Sequence, residues 1–274
     1  MDTALSLSFI AGQGTPLEGA RIRTILYGVT QSSDLVRPFV SLQNDDGGFP
    51  YAMQAGCLST LNDTHVALGW LDDLAMLESP TAVKAGRYLL DMQRDDGGWD
   101  EDPAILRYDV LPWAIPGDLR ARVYLSFCSA YWLALTGHVA HPAFQEALDF
   151  LLQYQDETGK FYGFLHSTWI ATSVFAMAGP RYTAVVENGL RALDSRPLSE
   201  WADSQISWAL AFLGRAGVPA EHHFVAKCLD ELTRRQQADG SWGSEDGEAF
   251  AVGATIEALK VLKHYRRLSA GRDS

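Results

Sequence analysis

The sequence predicts an all-α protein, an α/α toroid in which an inner ring of helices is wrapped by an outer ring. Three observations predict it. The first is a phrase that recurs: Gln43-Asn44-Asp45-Asp46-Gly47-Gly48-Phe49, Gln93-Arg94-Asp95-Asp96-Gly97-Gly98-Trp99 and Gln236-Gln237-Ala238-Asp239-Gly240-Ser241-Trp242, with a worn copy from Gln155 to Phe161. In each copy the glutamine leads the aromatic by six positions, and the first two copies lie fifty residues apart. A fixed pattern at such a period marks a repeat architecture. The second observation is that helical runs alternate in kind, one apolar on nearly all sides and the next amphipathic. The third is that no stretch carries a strand pattern.

The phrase is turn chemistry. Asp bonds its own backbone locally, and glycine supplies positive φ without a Cβ clash. Each copy follows an apolar helical run, such as Ala85 to Met92, so each is a helix C-terminus and the turn after it. The aromatic is expected to fold back as a plug while the glutamine bonds across the turn. The aspartates of these joints serve the turn rather than catalysis.

The elements follow in order. Residues 1–16, rich in Gly, Ser and Thr, read as a loose lead-in, and residues 17–274 as a single toroid domain. Helices are predicted over 17–28, 34–43, 62–78 and 80–93, where Pro80 suits a first helical turn. A long connection with Pro103, Pro112 and Pro116 covers 100–117. Helices over 119–135 and 142–155 follow, then 167–178 with a partner from Pro180, 203–214 with a partner from Pro219, and a last helix over 249–262. The runs before each proline, such as Val123 to Trp132, are apolar all round and belong inside; those after it, such as Phe144 to Leu152, carry charged faces and belong outside. This gives about six helix pairs. A further worn joint is placed at Ser195 to Trp201, which keeps the six-residue spacing without the Gln and Gly.

Composition sets outer bounds. A chain of 274 residues can bury a sizeable core, and a net charge of −12 argues against nucleic acid and anionic membrane surfaces as partners. Cys57, Cys128 and Cys228 form no CxxC pair and imply no disulfide framework. Met1-Asp2-Thr3-Ala4-Leu5 lacks a basic n-region and a long apolar core, which predicts no signal peptide and a cytoplasmic location. No apolar run reaches membrane-spanning length.

The phrase Gln-x-x-Asp-Gly-Gly/Ser-Trp resembles the repeat shared by squalene–hopene and oxidosqualene cyclases, class II terpene cyclases and protein prenyltransferase β subunits. The resemblance runs along nearly the whole chain. It implies a toroid with an aromatic-lined central cavity that holds an isoprenoid, and the chain length matches one toroid. In the cyclases the acid is the middle Asp of Asp-x-Asp-Asp-Thr-Ala at the start of an inner helix. The matching stretch here is Thr60-Leu61-Asn62-Asp63-Thr64-His65, where the first and middle Asp are Thr60 and Asn62. The resemblance therefore leaves Asp63 as the acid, with His65 its partner, or as a helix cap. In the prenyltransferase branch zinc is held by Asp, Cys and His. That pattern falls on Ser126-Phe127-Cys128 and on His166, with Ser in place of the Asp, so Cys128 and His166 are the alternative zinc ligands. The third ligand is missing unless Asp203 or Asp63 supplies it.

Counting back from the prolines that start outer helices places Asp63, His65, Ser126, Cys128, His166, Asp203 and Gln205 at one level, with Trp70, Tyr131, Trp132, Trp169 and Trp208 below them. A polar mouth over an aromatic well suits an apolar chain with one reactive end. The expected function is a terpene-cyclase-like enzyme that cyclises or isomerises an isoprenoid or polyene. Asp63, His65 and Asp203 are its catalytic candidates. Trp70, Cys128, Tyr131, Trp132, His166, Trp169, Gln205 and Trp208 are its substrate-binding candidates. No cofactor is expected. The alternatives are a zinc prenyltransferase-like subunit and a non-catalytic toroid binding lipid or protein. A partner subunit or a second copy of the chain is left open.

Overall fold

A computed structural model describes residues 1–268. Among the described residues there are twelve α-helices: α1 Thr3–Gln13, α2 Pro16–Tyr27, α3 Ser33–Val40, α4 Leu61–Asp73, α5 Pro80–Asp91, α6 Leu119–Leu135, α7 Pro142–Leu152, α8 Leu165–Met177, α9 Thr183–Asp194, α10 Asp203–Arg215, α11 His223–Arg234 and α12 Ala251–His264. A two-residue antiparallel pairing joins β1 Phe49–Pro50 to β2 Ser59–Thr60, and Gln155 and Phe161 form an isolated antiparallel bridge; both are too short to leave an alternating pattern in the sequence. The chain packs as two compact units, Met1–Gln31 with Asp194–Ser274, and Ser32–Leu193.

In the second unit the buried helices α4, α6 and α8 pack side by side, α4 on α6 and α6 on α8. Nearly every residue of α6 from Leu125 to Leu133 is buried, as its all-round apolar sequence requires. In contrast, α5, α7 and α9 each bury a single stripe.

The joints between them share one geometry. Gln93 Nε2 donates to the Gly97 carbonyl at 2.9 Å and to the Ala143 carbonyl at the start of α7 at 2.8 Å. Gln43 does the same with Gly47 and Thr81, and Gln155 with Gly159 and Val185. Each glutamine thus ties its own turn to the first turn of the next amphipathic helix. The backbone N–H of each joint aromatic donates to a buried hydroxyl: Phe49 to Thr64 on α4, Trp99 to Ser126 on α6, Phe161 to Thr168 on α8. The aromatic rings are sealed in the core; Phe49 and Trp99 are fully buried. Gly97 is required on two counts. Its φ is +85°, and a Cβ there would lie 2.4 Å from the Glu146 carbonyl oxygen.

The first unit contains the last joint. Trp242 is fully buried, and its N–H donates to Thr255 Oγ1 on α12. Here the helix that receives the joint is α1. Gln236 Nε2 donates to the Asp2 carbonyl at 2.8 Å and Ser6 Oγ donates to the Gly240 carbonyl at 2.6 Å. The expectation of a loose lead-in over 1–16 is therefore corrected. Asp2 caps α1 by accepting from the amides of Ala4 and Leu5, and the helix has so little amphipathic contrast that its sequence does not announce it. The worn joint at Ser195–Trp201 is also real. Trp201 is buried and packs on Phe224, and Arg235 bonds the Leu198 and Trp201 carbonyls, each at 2.6 Å, in place of the missing glutamine.

Two boundaries differ from expectation. α4 ends at Asp73 because Ala75 turns left-handed, with φ 56°. α11 begins at His223 rather than Pro219, since Pro219–His222 form a separate turn closed by the His222 N–H to the Pro219 carbonyl.

Candidate functional site

The N-terminus of α4 gathers the polar chemistry of the second unit. The first amides of a helix lack intrahelical acceptors, and here those of Leu61, Asn62 and Asp63 are met by side chains. Thr60 is the N-cap, and its Oγ1 accepts the Asp63 amide at 2.9 Å. The Asp63 carboxylate returns the contact, accepting from the Thr60 hydroxyl at 2.6 Å. The amides of Leu61 and Asn62 both donate to Glu101, to Oε2 and Oε1 at 2.9 Å each. Glu101 lies just past the joint aromatic Trp99 and is 1% exposed. Burial, with the neighbouring Asp63 and Asp100 charges, pushes its carboxyl up to about 7 against the pull of the two amides. Asp63 is also raised, chiefly by burial.

Two segments cover this terminus. The Ala52 backbone amide lies close enough to the Asp63 carboxylate to pull it down against burial. Ala52 and Met53 both hold positive φ, 51° and 53°, a conformation that costs non-glycine residues roughly 1–3 kcal/mol each and clusters at functional sites. Tyr51 stacks on Tyr108 of the 100–117 connection at 4.5 Å, and its hydroxyl donates to the Asp109 carbonyl. From the same connection, Trp113 Nε1 donates to Asn62 Oδ1 at 3.1 Å.

The structure separates some of the residues that spacing grouped. His65 does not serve Asp63. Positions two apart on a helix face different ways, and the His65 ring points to α6, where Nε2 meets Ser129 Oγ at 2.9 Å. Burial drives His65 down to about 3, so it is neutral. Ser126, placed at the rim by sequence, belongs to the Trp99 joint. Asp203 opens α10 in the other unit, where it pairs with Arg235 at 3.1 Å and accepts the Gly243 amide at 3.0 Å. Gln205, beside it, accepts the Ala202 amide and donates to Glu245; Trp208 on the same helix is half-buried.

The aromatic residues divide by exposure. Trp169 is fully buried, and Tyr131 and Trp132, ring centroids 5.2 Å apart, are nearly so. Trp70 and His166 keep part of their surface; Trp70 packs on Phe39 and His166 on Trp169 and Tyr124. Burial pushes the Cys128 thiol up to about 12, with Tyr124 a weaker pull the other way. Among the described residues no three His, Cys, Asp or Glu side chains are grouped to hold a metal ion, and no helix is long and apolar enough to cross a membrane.

Sequence reasoning missed Glu101 and Trp113. Both lie in the proline-broken connection after the second joint, where no periodicity directs attention to single residues. The signal for Glu101 was its place two residues after a joint aromatic, which delivers it to the inner helix that precedes the joint.

No family model matches the chain. It is 25% identical over 236 residues to squalene–hopene cyclase from Zymomonas mobilis, a match that takes in 72% of this chain and 36% of the relative. The chain thus spans well under half the length of that curated relative. Among solved structures, a protein from Actinoplanes superposes with a TM-score of 0.62 at 19% identity, over 92% of this chain and 90% of the other. A variant of the type II terpene cyclase MstE from Scytonema, in complex with geranylgeranyl dihydroxybenzoate as substrate, superposes with a TM-score of 0.61 at 15% identity, over 92% and 87%. The resemblance drawn from the joints holds, and the fold is the α/α toroid of the type II terpene cyclases.

Proposed function

We propose that this protein is a terpene-cyclase-like enzyme acting on an isoprenoid or other polyene, with the Asp63 carboxyl as proton donor. One observation carries the reading: a carboxyl raised by burial stands at the start of an inner helix in a fold shared with type II terpene cyclases. Transfer of its proton to a terminal alkene leaves a carbocation. Ring closure moves that charge along the chain, and loss of a proton from the last cation ends the reaction, so substrate and product are isomers. Asp63 is then reprotonated from solvent. The partly exposed aromatic faces of the second unit, Trp70 and His166, are the surfaces suited to stabilise the travelling charge. Neutral His65 fixes α4 against α6, and Asp203 braces α10. The zinc reading is weaker, because among the described residues no three His, Cys, Asp or Glu side chains are grouped to hold a metal ion.

Incubation with squalene, geranylgeranyl diphosphate and a geranylgeranylated aromatic acid, analysed by mass spectrometry, tests this. The wild type is expected to give a cyclised isomer of at least one of them, and Asp63→Asn to lose at least two orders of magnitude of it, as removal of an essential acid does. Unchanged turnover by Asp63→Asn would clear Asp63. No turnover of any polyene would leave a toroid that binds rather than converts its ligand.

A further inference from the structure

Two side chains with no place in the reaction just described reach the helix that carries its acid, and both come from the 100–117 connection. Glu101, 1% exposed, takes the Leu61 amide on Oε2 and the Asn62 amide on Oε1, each at 2.9 Å. Trp113 Nε1 donates to Asn62 Oδ1 at 3.1 Å. The connection also holds the loop that covers this terminus: the Tyr108 hydroxyl accepts the Leu58 amide at 3.1 Å, and the Tyr108 ring stacks on Tyr51. We propose that Glu101 and Trp113 are positioning residues, which fix the first turn of α4 so that the Asp63 carboxyl stays in its buried place. The inference rests on the reading of Asp63 as the acid.

An N-cap side chain serves one orphan amide, and Thr60 serves that of Asp63. The two amides before it need other acceptors, and Leu61 is fully buried. Glu101 supplies both acceptors from just beyond the second joint. One planar carboxyl on two successive amides sets the height and the rotation of the helix end, and Asp63 is the very next residue. Both oxygens keep acceptor capacity whether or not the carboxyl holds its proton. The support is itself held. Asp100 accepts the Gly117 amide at 3.0 Å, which ties the two ends of the connection together, and it pairs with Arg122 of α6 at 3.5 Å. Trp99, just before it, is sealed in the core, and Pro112–Ala114 pack on α6. A reacting group is placed well only on such a locked support, and a misplacement of about 1 Å can cost about a hundredfold in rate. The position of Asp63 also sets its acidity. Its carboxyl is raised chiefly by burial, against the pull of the Thr60 hydroxyl, Asn62 and the amides of Ala52 and Asp63. The charges acting on Glu101 are those of Asp63 and Asp100. A first turn that loosens admits water, and the Asp63 carboxyl then falls back toward the ordinary range.

The test compares the full chain with Glu101→Asp, which keeps the charge but shortens the arm by one methylene, and with Trp113→Phe, which keeps a ring but loses the N–H. Amide hydrogen exchange reads the clamp. The Leu61 and Asn62 amides are expected to exchange roughly tenfold faster in Glu101→Asp, as the loss of a hydrogen bond implies. A carboxyl ¹³C titration reads the placement of Asp63, whose signal is assigned by its loss in Asp63→Asn. It should titrate above the ordinary carboxylate range in the wild type, return toward that range in Glu101→Asp, and move part of the way in Trp113→Phe. In a turnover assay Glu101→Asp should lose roughly ten- to a hundredfold in kcat with KM unchanged, and the alkaline limb of its pH–rate profile should move to lower pH. A variant that is merely less folded lowers the rate equally at every pH and leaves that limb in place. Exchange at Leu61 and Asn62 unchanged in Glu101→Asp, or an Asp63 titration unmoved by it, overturns the proposal. Should Glu101→Asp fail to fold, an Asp63 titration unmoved in Trp113→Phe overturns it instead. Titrations that move without turnover of any polyene leave the positioning in place and sink the proposed reaction; turnover that needs Asp63, with an Asp63 titration unmoved by Glu101→Asp, does the opposite.

Discussion

Glu101 and His65 are buried titratable groups with opposite effects on folding. Glu101 is held up at about 7 against an ordinary 4.5, so the folded chain keeps a proton that the unfolded chain has released. Its contribution is complete below the ordinary value and is lost as pH rises through 7. His65 sits at about 3 against 6.5, so its contribution is complete above 6.5 and is lost as pH falls toward 3. Between pH 4.5 and 6.5 the two slopes oppose, each at most about 1.4 kcal/mol per pH unit. Urea midpoints measured across this window should therefore be nearly flat in the wild type. In Glu101→Gln they should rise with pH, since only the His65 slope is left; a flat profile in the variant would contradict the assignment. Little of this was legible in the sequence. Asp63 was found because a motif pointed to it, whereas Glu101 acts on α4 from forty residues away, and only the folded joint carries it there. The pairing of His65 with Asp63 failed for a simple reason: closeness in sequence along a helix is not closeness in space.

At the scale of elements, the joints were the most legible feature, since their chemistry is local: a turn that needs Asp and Gly, an aromatic that needs a core. Their partners were not legible, because each glutamine reaches a carbonyl on the next helix, and carbonyls carry no residue signature. Gln93→Ala removes two half-buried hydrogen bonds and leaves the Ala143 and Gly97 carbonyls without that donor. It should cost about 1–3 kcal/mol, read as a lowered urea midpoint with unchanged slope. Gly97→Ala adds a left-handed strain and a clash with the Glu146 carbonyl, and should cost more, about 3 kcal/mol or above. Arg235→Met tests the worn joint, where loss of both carbonyl contacts should expose Trp201 and redshift its fluorescence.

The whole molecule was legible as a repeat fold through the joints. What the repeat hid was that α1, at the other end of the chain, receives the last of them. Deleting residues 1–14 should strip Gln236 and Gly240 of their contacts with Asp2 and Ser6 and lower the melting temperature of a chain that still forms the remaining helices. An unchanged melting temperature would show α1 to be an appendage.

The central claim, that this toroid cyclises a polyene by protonation from Asp63, is tested most directly by running the reaction in D₂O and locating the label. The account predicts a cyclised isomer from the wild type carrying one deuteron at the carbon of the former terminal alkene, and no such product from Asp63→Asn. A cyclised product formed without deuterium at that carbon, or formed with it by Asp63→Asn at the wild-type rate, would contradict it.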